Sequence, residues 1–181
     1  TTRLKDCAQL RGVDNSRQAI RSGFFTEAPQ PSSILVNRID TSYSVDDYNY
    51  WEYDPASQKY FRYQEMTDTR NGKPPTFEPL MDLETGFPVT ADNVVELFVT
   101  HIFANQNEAE DEVYHIILND SGVAYVFRNG LAFPAQWNRI QTDQPLLLTD
   151  PGGNPITLKP GRTFYQVIGR TSTYSQSEGD W

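Results

Sequence analysis

The chain has 181 residues, enough to bury a sizeable core in one domain with appended segments but too few for two domains of ordinary size. Hydrophobic residues make up 38% and aromatic residues 13%, with ten Tyr, ten Phe and three Trp, which excludes a disordered composition despite a mean hydropathy of -0.59. The balance of 15 Lys and Arg against 24 Asp and Glu gives a net charge of -9, a mean field that repels polyanions and argues against DNA or RNA as a partner.

The first 22 residues carry the only helical signals. Thr1 or Thr2 caps a short helix through Arg11, ended by Gly12, and Asn15 or Ser16 caps another turn or two through Arg21, ended by Gly23. The basic residues Arg3, Lys5, Arg11, Arg17 and Arg21 read as solvated helix faces. Cys7 cannot form an intramolecular disulfide, being the chain's single cysteine. It also lacks the preceding apolar run and small residues that mark a lipid-modified cysteine, so it reads as a buried small hydrophobe. A connector follows at Phe24 to Ser33, where Pro29 and Pro31 remove backbone donors.

From there the period is two. Strands are expected at Ser33 to Tyr43, at Asn49 to Tyr53 and at Lys59 to Glu65, the last two forming a hairpin around Asp54-Pro55-Ala56-Ser57. Tyr48, Tyr50 and Glu52 share one face of that hairpin, Trp51 and Tyr53 the other. Residues 66 to 92, with Pro74, Pro75, Pro79 and Pro88, read as a long loop. Further strands follow at Asn93 to Phe103, Glu112 to Asn119, Gly122 to Phe127, Leu131 to Trp137, Leu146 to Thr149, Ile156 to Lys159 and Arg162 to Ile168. Asn129-Gly130 is the favoured pair of a type I′ hairpin turn. The fold class is mainly β, an antiparallel sandwich or incomplete barrel with a short helical N-terminal segment. The sheet is expected to centre on 93 to 103 and 122 to 137, with Val94, Leu97, Val99, Tyr125 and Phe127 buried. No apolar stretch approaches the ~20 residues needed to span a bilayer as a helix.

Signatures of chemistry are sparse. His101 and His115 come within metal-ligand reach if their strands pair antiparallel across the acidic run Glu108, Glu110, Asp111 and Glu112, but no third ligand has a fixed spacing, and the expectation is no metal and no cofactor. The acidic run lacks the alternating ligands and central Gly of a calcium loop. No Gly-x-Ser-x-Gly elbow is present, and 24 acids do not single out a catalytic pair. The cluster Tyr43, Tyr48, Tyr50, Trp51, Tyr53, Tyr60, Phe61 and Tyr63 reads either as sheet core or as a binding face.

Several runs resemble a known family. Gly72-Lys73-Pro74, Asp82-Leu83-Glu84-Thr85-Gly86 and Thr90-Ala91-Asp92-Asn93-Val94-Val95 are followed by Gly122 to Gly130, then Trp137, then Gly153-Asn154-Pro155 running to Thr163. Together with Tyr53-Asp54 and Tyr60-x-Arg62 upstream, they are similar in order and spacing to the C-terminal part of the YerB-like bacterial lipoproteins. Where that family has a His-Thr-Asp-like stretch after the Gly-Lys-Pro loop, this chain has Pro75-Thr76-Phe77-Glu78-Pro79.

The resemblance divides the chain into 1–29, a helical segment and connector ending a preceding domain, 30–169, the β-rich domain, and 170–181, a polar tail. Starting at Thr1 with no initiator Met or signal segment, the chain reads as a piece of a longer protein. The family implies a secreted protein held to the membrane by a lipid anchor outside these residues, and it implies no reaction. The functional expectation is a non-catalytic extracytoplasmic module contacting an envelope protein or cell-wall polymer, with a cell-envelope hydrolase or ligand-processing domain using carboxylates or His101 as the alternative. Candidate binding residues are Tyr50, Trp51, Tyr60, Arg62, Asp82, Asn93 and His101, centred where the 66–92 loop meets the aromatic hairpin.

Overall fold

The computed structural model describes residues 6–7, 9–12, 25–29, 31–32, 34–44, 47–67, 74–105, 113–170 and 172–177. In order the strands are β1 (Arg38–Ser44), β2 (Asp47–Asp54), β3 (Lys59–Glu65), β4 (Phe77–Pro79), β5 (Thr90–Ala91), β6 (Asn93–Asn105), β7 (Val113–Ile117), β8 (Ser121–Arg128), β9 (Leu131–Asn138), β10 (Leu147–Thr149), β11 (Thr163–Gly169) and β12 (Thr173–Ser177). They form two six-stranded sheets. Sheet I runs β12-β1-β2-β3-β4 with β5 also on β3, and sheet II runs β10-β9-β8-β6-β11 with β7 also on β6. The architecture is sandwich-like and does not close into a barrel. At the N-terminus, Asp6, Cys7, Gln9 and Leu10 have helical backbone, and Gly12 ends the turn at φ +65°; Cys7 is exposed there, not buried as its reading as a small hydrophobe expected. The rest of the expected helical segment lies outside the described residues.

Turn chemistry sets the hairpins. Asp54 accepts from the Ala56 and Ser57 N–H groups at 3.1 and 2.9 Å, closing β2 onto β3. Asn129 and Gly130 have φ +55° and +71°, as a type I′ turn requires, and join β8 to β9. The Gly130 N–H donates to the Tyr60 hydroxyl at 3.1 Å, so this turn of sheet II is fastened to sheet I.

Period two decides what is buried. Asn49, Trp51 and Tyr60 point between the sheets, where Trp51 and Tyr60 pack with Val36, Ile39 and Ala91 against Val94, Phe127 and Ala132 of sheet II. The opposite face of sheet II is buried as well. Val95, Leu97, Val99, Ala124, Val126 and Trp137 form a second cluster there, covered by Leu148, Ile156 and Leu158 from β10 and the chain beyond it. Sheet II therefore curls over its own outer face, and that explains the nearly unbroken apolar run from Asn93 to Val99. Of the expected core residues, Val94, Leu97, Val99 and Phe127 are buried and Tyr125 is half-buried.

Several details differ from the sequence reading. β11 lies parallel to β6, with Gln166 opposite Glu96, although every other named pairing is antiparallel. The expected loop at 66–92 contains β4 and β5, both paired with β3, and Leu80 and Val89 also bond its Arg62 backbone. The segment thus covers the edge of sheet I. Thr173–Ser177, within the expected polar tail, is an edge strand on β1; Trp181 lies outside the described residues.

Trp51 has no exposed surface, whereas Phe87 is 72% exposed. Trp51→Ala is expected to lower unfolding free energy by about 3–5 kcal/mol, and Phe87→Ala by less than about 0.5 kcal/mol, in urea denaturation followed by circular dichroism. Near-equal midpoints for the two variants would contradict this packing.

Candidate functional site

Two places concentrate polar chemistry, one between the sheets and one on the outer face of sheet I. Between the sheets, the pairing of β6 with β11 sets Glu96 beside Gln166, both directed at Thr41 of β1. The Thr41 hydroxyl donates to Glu96 Oε1 at 2.8 Å, Gln166 Nε2 donates to Thr41 Oγ1 at 2.7 Å, and Gln166 Nε2 also donates to Glu96 Oε1. Arg62 of β3 reaches in from sheet I, with its Nη1 3.4 Å from Gln166 Oε1 and its guanidinium 5.0 Å from the Phe164 ring centre.

Glu96 and Gln166 are wholly buried, and Asn49 and Thr41 are 2% exposed. Glu96 Oε2, both amide atoms of Asn49, Arg62 Nε and Trp51 Nε1 have no hydrogen-bond partner among the described residues. Groups this buried are normally satisfied, and an unmade bond costs about 1–3 kcal/mol. Burial pushes the Glu96 carboxyl up to about 7, against the opposing pull of Gln166, Thr41 and Arg62. The same burial, with Glu96 nearby, pushes the Tyr43 phenol up to about 12.

The outer face of sheet I is aromatic. Tyr50 stacks on Tyr63 with ring centres 4.6 Å apart and planes 9° apart, while Phe77 meets it edge-on at 5.0 Å. On the ring of Tyr50 also lies the Arg38 guanidinium, 3.7 Å from the centroid, which pairs with Asp40 at 2.8 Å. A hollow of about 220 Å³ lies beside this stack, lined by Asp40, Ser42, Tyr48, Phe77 and Ser175 among others.

The sequence-predicted residues scatter over these surroundings. Tyr50 is on the outer face and touches Phe77 of the covering segment, so the loop and the hairpin do meet there. Trp51 and Tyr60 are 0% exposed and belong to the core; the two-residue period that puts Tyr50 outside turns its neighbour Trp51 inward. Arg62 belongs to the inter-sheet cluster. Asp82 is exposed and accepts from the Glu84 and Thr85 N–H groups at 3.0 and 2.8 Å, capping a turn whose Gly86 has φ +70°. Asn93 is a buried clasp, bonded to Lys159 N and O at 2.7 and 2.8 Å.

His101 sits beyond the end of β11, its Nδ1 3.0 Å from Val99 O. β6 and β7 do pair antiparallel there, but His101 faces Ile116 while His115 faces Ile102, so the two rings occupy opposite faces. Glu108, Glu110, Asp111 and Glu112 lie outside the described residues. What the sequence reading missed was Glu96, although a lone acid inside an apolar run is a visible sign of a buried carboxyl.

The raised carboxyl has a definite consequence for stability. Folded Glu96 holds its proton up to about pH 7, whereas an unfolded glutamate releases it near pH 4.3. Its contribution is therefore complete below the unfolded value and declines as pH rises toward 7. Over that window this group should remove roughly 3 kcal/mol from the unfolding free energy. Glu96→Gln, which keeps an accepting oxygen, should abolish that slope and unfold at higher urea than the parent at pH 7.5. A parent more stable than the variant at that pH would refute the assignment.

Residues 39–165 match the family model described as "Protein of unknown function (DUF3048) C-terminal domain". A comparison with curated proteins finds no match. Among solved structures the chain is similar to the YerB protein from Bacillus subtilis, with a TM-score of 0.63 and 18% identity over 95% of this chain and 52% of that one. The chain thus spans about half the length of that protein, and at this identity the likeness is one of fold. With the greater part of its length matched, the chain belongs to the YerB-like DUF3048 family, whose C-terminal domain it contains.

Proposed function

We propose that the chain is a non-catalytic interaction module of an extracytoplasmic, lipid-anchored envelope protein, and that it contacts another envelope protein through the outer face of sheet I. One observation carries the choice of a protein over a cell-wall polymer. Sugar rings are bound on open aromatic faces, and Tyr50 has Arg38 over its ring and Tyr63 stacked on it. What this face offers is ring edges, hydroxyls and a paired Arg38–Asp40, a mixture suited to a protein surface. The stacked side chains are already ordered, so little conformational entropy is lost on contact.

A hydrolase is the second reading, and Glu96 is the observation that favours it, since a buried carboxyl raised to about 7 is the kind of group that serves in general acid–base chemistry. Against it, Glu96 has no exposed surface and is held by Thr41 and Gln166. His101 faces the Val99 carbonyl, and neither the hollow beside Tyr48 nor the apolar one at β10 includes it.

The test uses washed envelope fractions from the native host and protein-free peptidoglycan sacculi. Saturable binding to the envelope fraction is expected, lost after protease treatment of that fraction. Tyr48→Asp and Phe77→Asp should each weaken it by ~10-fold or more, with melting temperatures held within a few degrees of the parent. Equal binding to bare sacculi, or indifference to both substitutions, would remove the basis for a protein partner at this face. Protection of the full protein from protease added to intact spheroplasts would sink the extracytoplasmic location.

A further inference from the structure

Sheet II ends in β10 on one side and β11 on the other, and these two end strands do not pair with each other. The unpaired seam between them is a slot of about 420 Å³, within the range of roughly 300–1,000 Å³ typical of small-molecule sites. Its floor is the core itself, with Leu148, Ile156 and Leu158 at 8%, 6% and 5% exposure. Its lips are Phe25, Leu147 and Tyr165, which are 49%, 50% and 42% exposed.

The lining chemistry narrows the occupant. No charged side chain lines the slot among the described residues, and Thr149, Thr163 and Tyr165 supply its hydroxyls. An ionised group placed inside would be desolvated without a partner, a prohibitive cost. An α-helix, about 10 Å across with its side chains, is too wide for a hollow of this volume. A flexible hydrocarbon chain is narrow, needs no hydrogen bonds and gains from apolar burial along its whole length. We propose that the seam between β10 and β11 binds the hydrocarbon chain of a neutral amphiphile, its head left at the lips beside Leu147 and Tyr165.

The ribbon of β6 and β7 is a rival apolar surface, with Ile102, Phe103, Val113 and Ile116 exposed. It lines neither described hollow, so it serves as the control. The experiment titrates the full chain with the apolar fluorophore N-phenyl-1-naphthylamine and then displaces it with 1-dodecanol. A saturable 1:1 rise in fluorescence, reversed by the alcohol, is expected. Leu147→Asp and Tyr165→Asp, two independent changes at exposed lips, should each weaken probe binding by ~10-fold or more, because each sets a charge where the apolar chain must pass. Phe103→Asp on the ribbon should leave it unchanged.

Flotation with phosphatidylcholine vesicles separates the two sources of such a chain. Flotation lost in both lip variants would identify a bilayer lipid, whereas alcohol binding without flotation would identify a free amphiphile, and either supports the slot. Absence of saturable probe binding, binding that both lip variants retain, or binding lost in Phe103→Asp would overturn the proposal.

Discussion

The constraint on which the rest of this structure depends is that the first half of β6, Asn93 to Val99, is packed on both faces and paired along both edges. Val94 and Glu96 face sheet I, while Val95, Leu97 and Val99 face the second cluster, and β8 and β11 occupy the two edges. Side chains alternate strictly along a strand, so slipping β6 by one residue would carry Glu96 into the Val95 and Leu97 cluster and leave Thr41 and Gln166 without their acceptor. The register is thus specified by a polar group as much as by apolar ones.

Much of this layout was legible because it is local. Alternation marked β2 and β3, Asn129-Gly130 marked the turn into β9, and the run after Asn93 marked β6. What local pattern does not carry is orientation in three dimensions. The period of two says that Tyr50 and Trp51 lie on opposite faces, but with aromatics at both positions it does not say which face is inward. Trp51 and Tyr60 accordingly read as site residues and are core. His101 and His115 show the same gap, since their strands pair as expected while parity separates the rings.

The elements missed altogether share a physical character. β4 and β5 are three and two residues long and lie among prolines, and β12 is Thr-Tyr-Ser-Gln-Ser, with almost no apolar signal. Each adds to an existing edge, so its conformation is set by the neighbour that receives it. The parallel direction of β11 is likewise a tertiary fact, because its own alternation is the same in either direction. The candidate site is less legible still. Glu96 is visible as an acid among apolar residues, yet its partners Thr41 and Gln166 are 55 and 70 positions away.

Arg62 joins the two polar regions that sequence reasoning would treat separately. Its carbonyl accepts from Leu80 N at 2.8 Å and its N–H donates to Val89 O at 3.1 Å, holding the covering segment against the edge of sheet I. That same segment delivers Phe77 onto Tyr50. Its guanidinium, meanwhile, lies over Trp51 and Phe164 and contacts Gln166, one step from Glu96. Burial lowers the guanidinium's pKa while Tyr43, Asp47 and Glu96 act in the opposite direction. The inter-sheet polar cluster and the outer aromatic face are thereby joined through Arg62, whose side chain meets Gln166 and whose backbone holds the segment that carries Phe77.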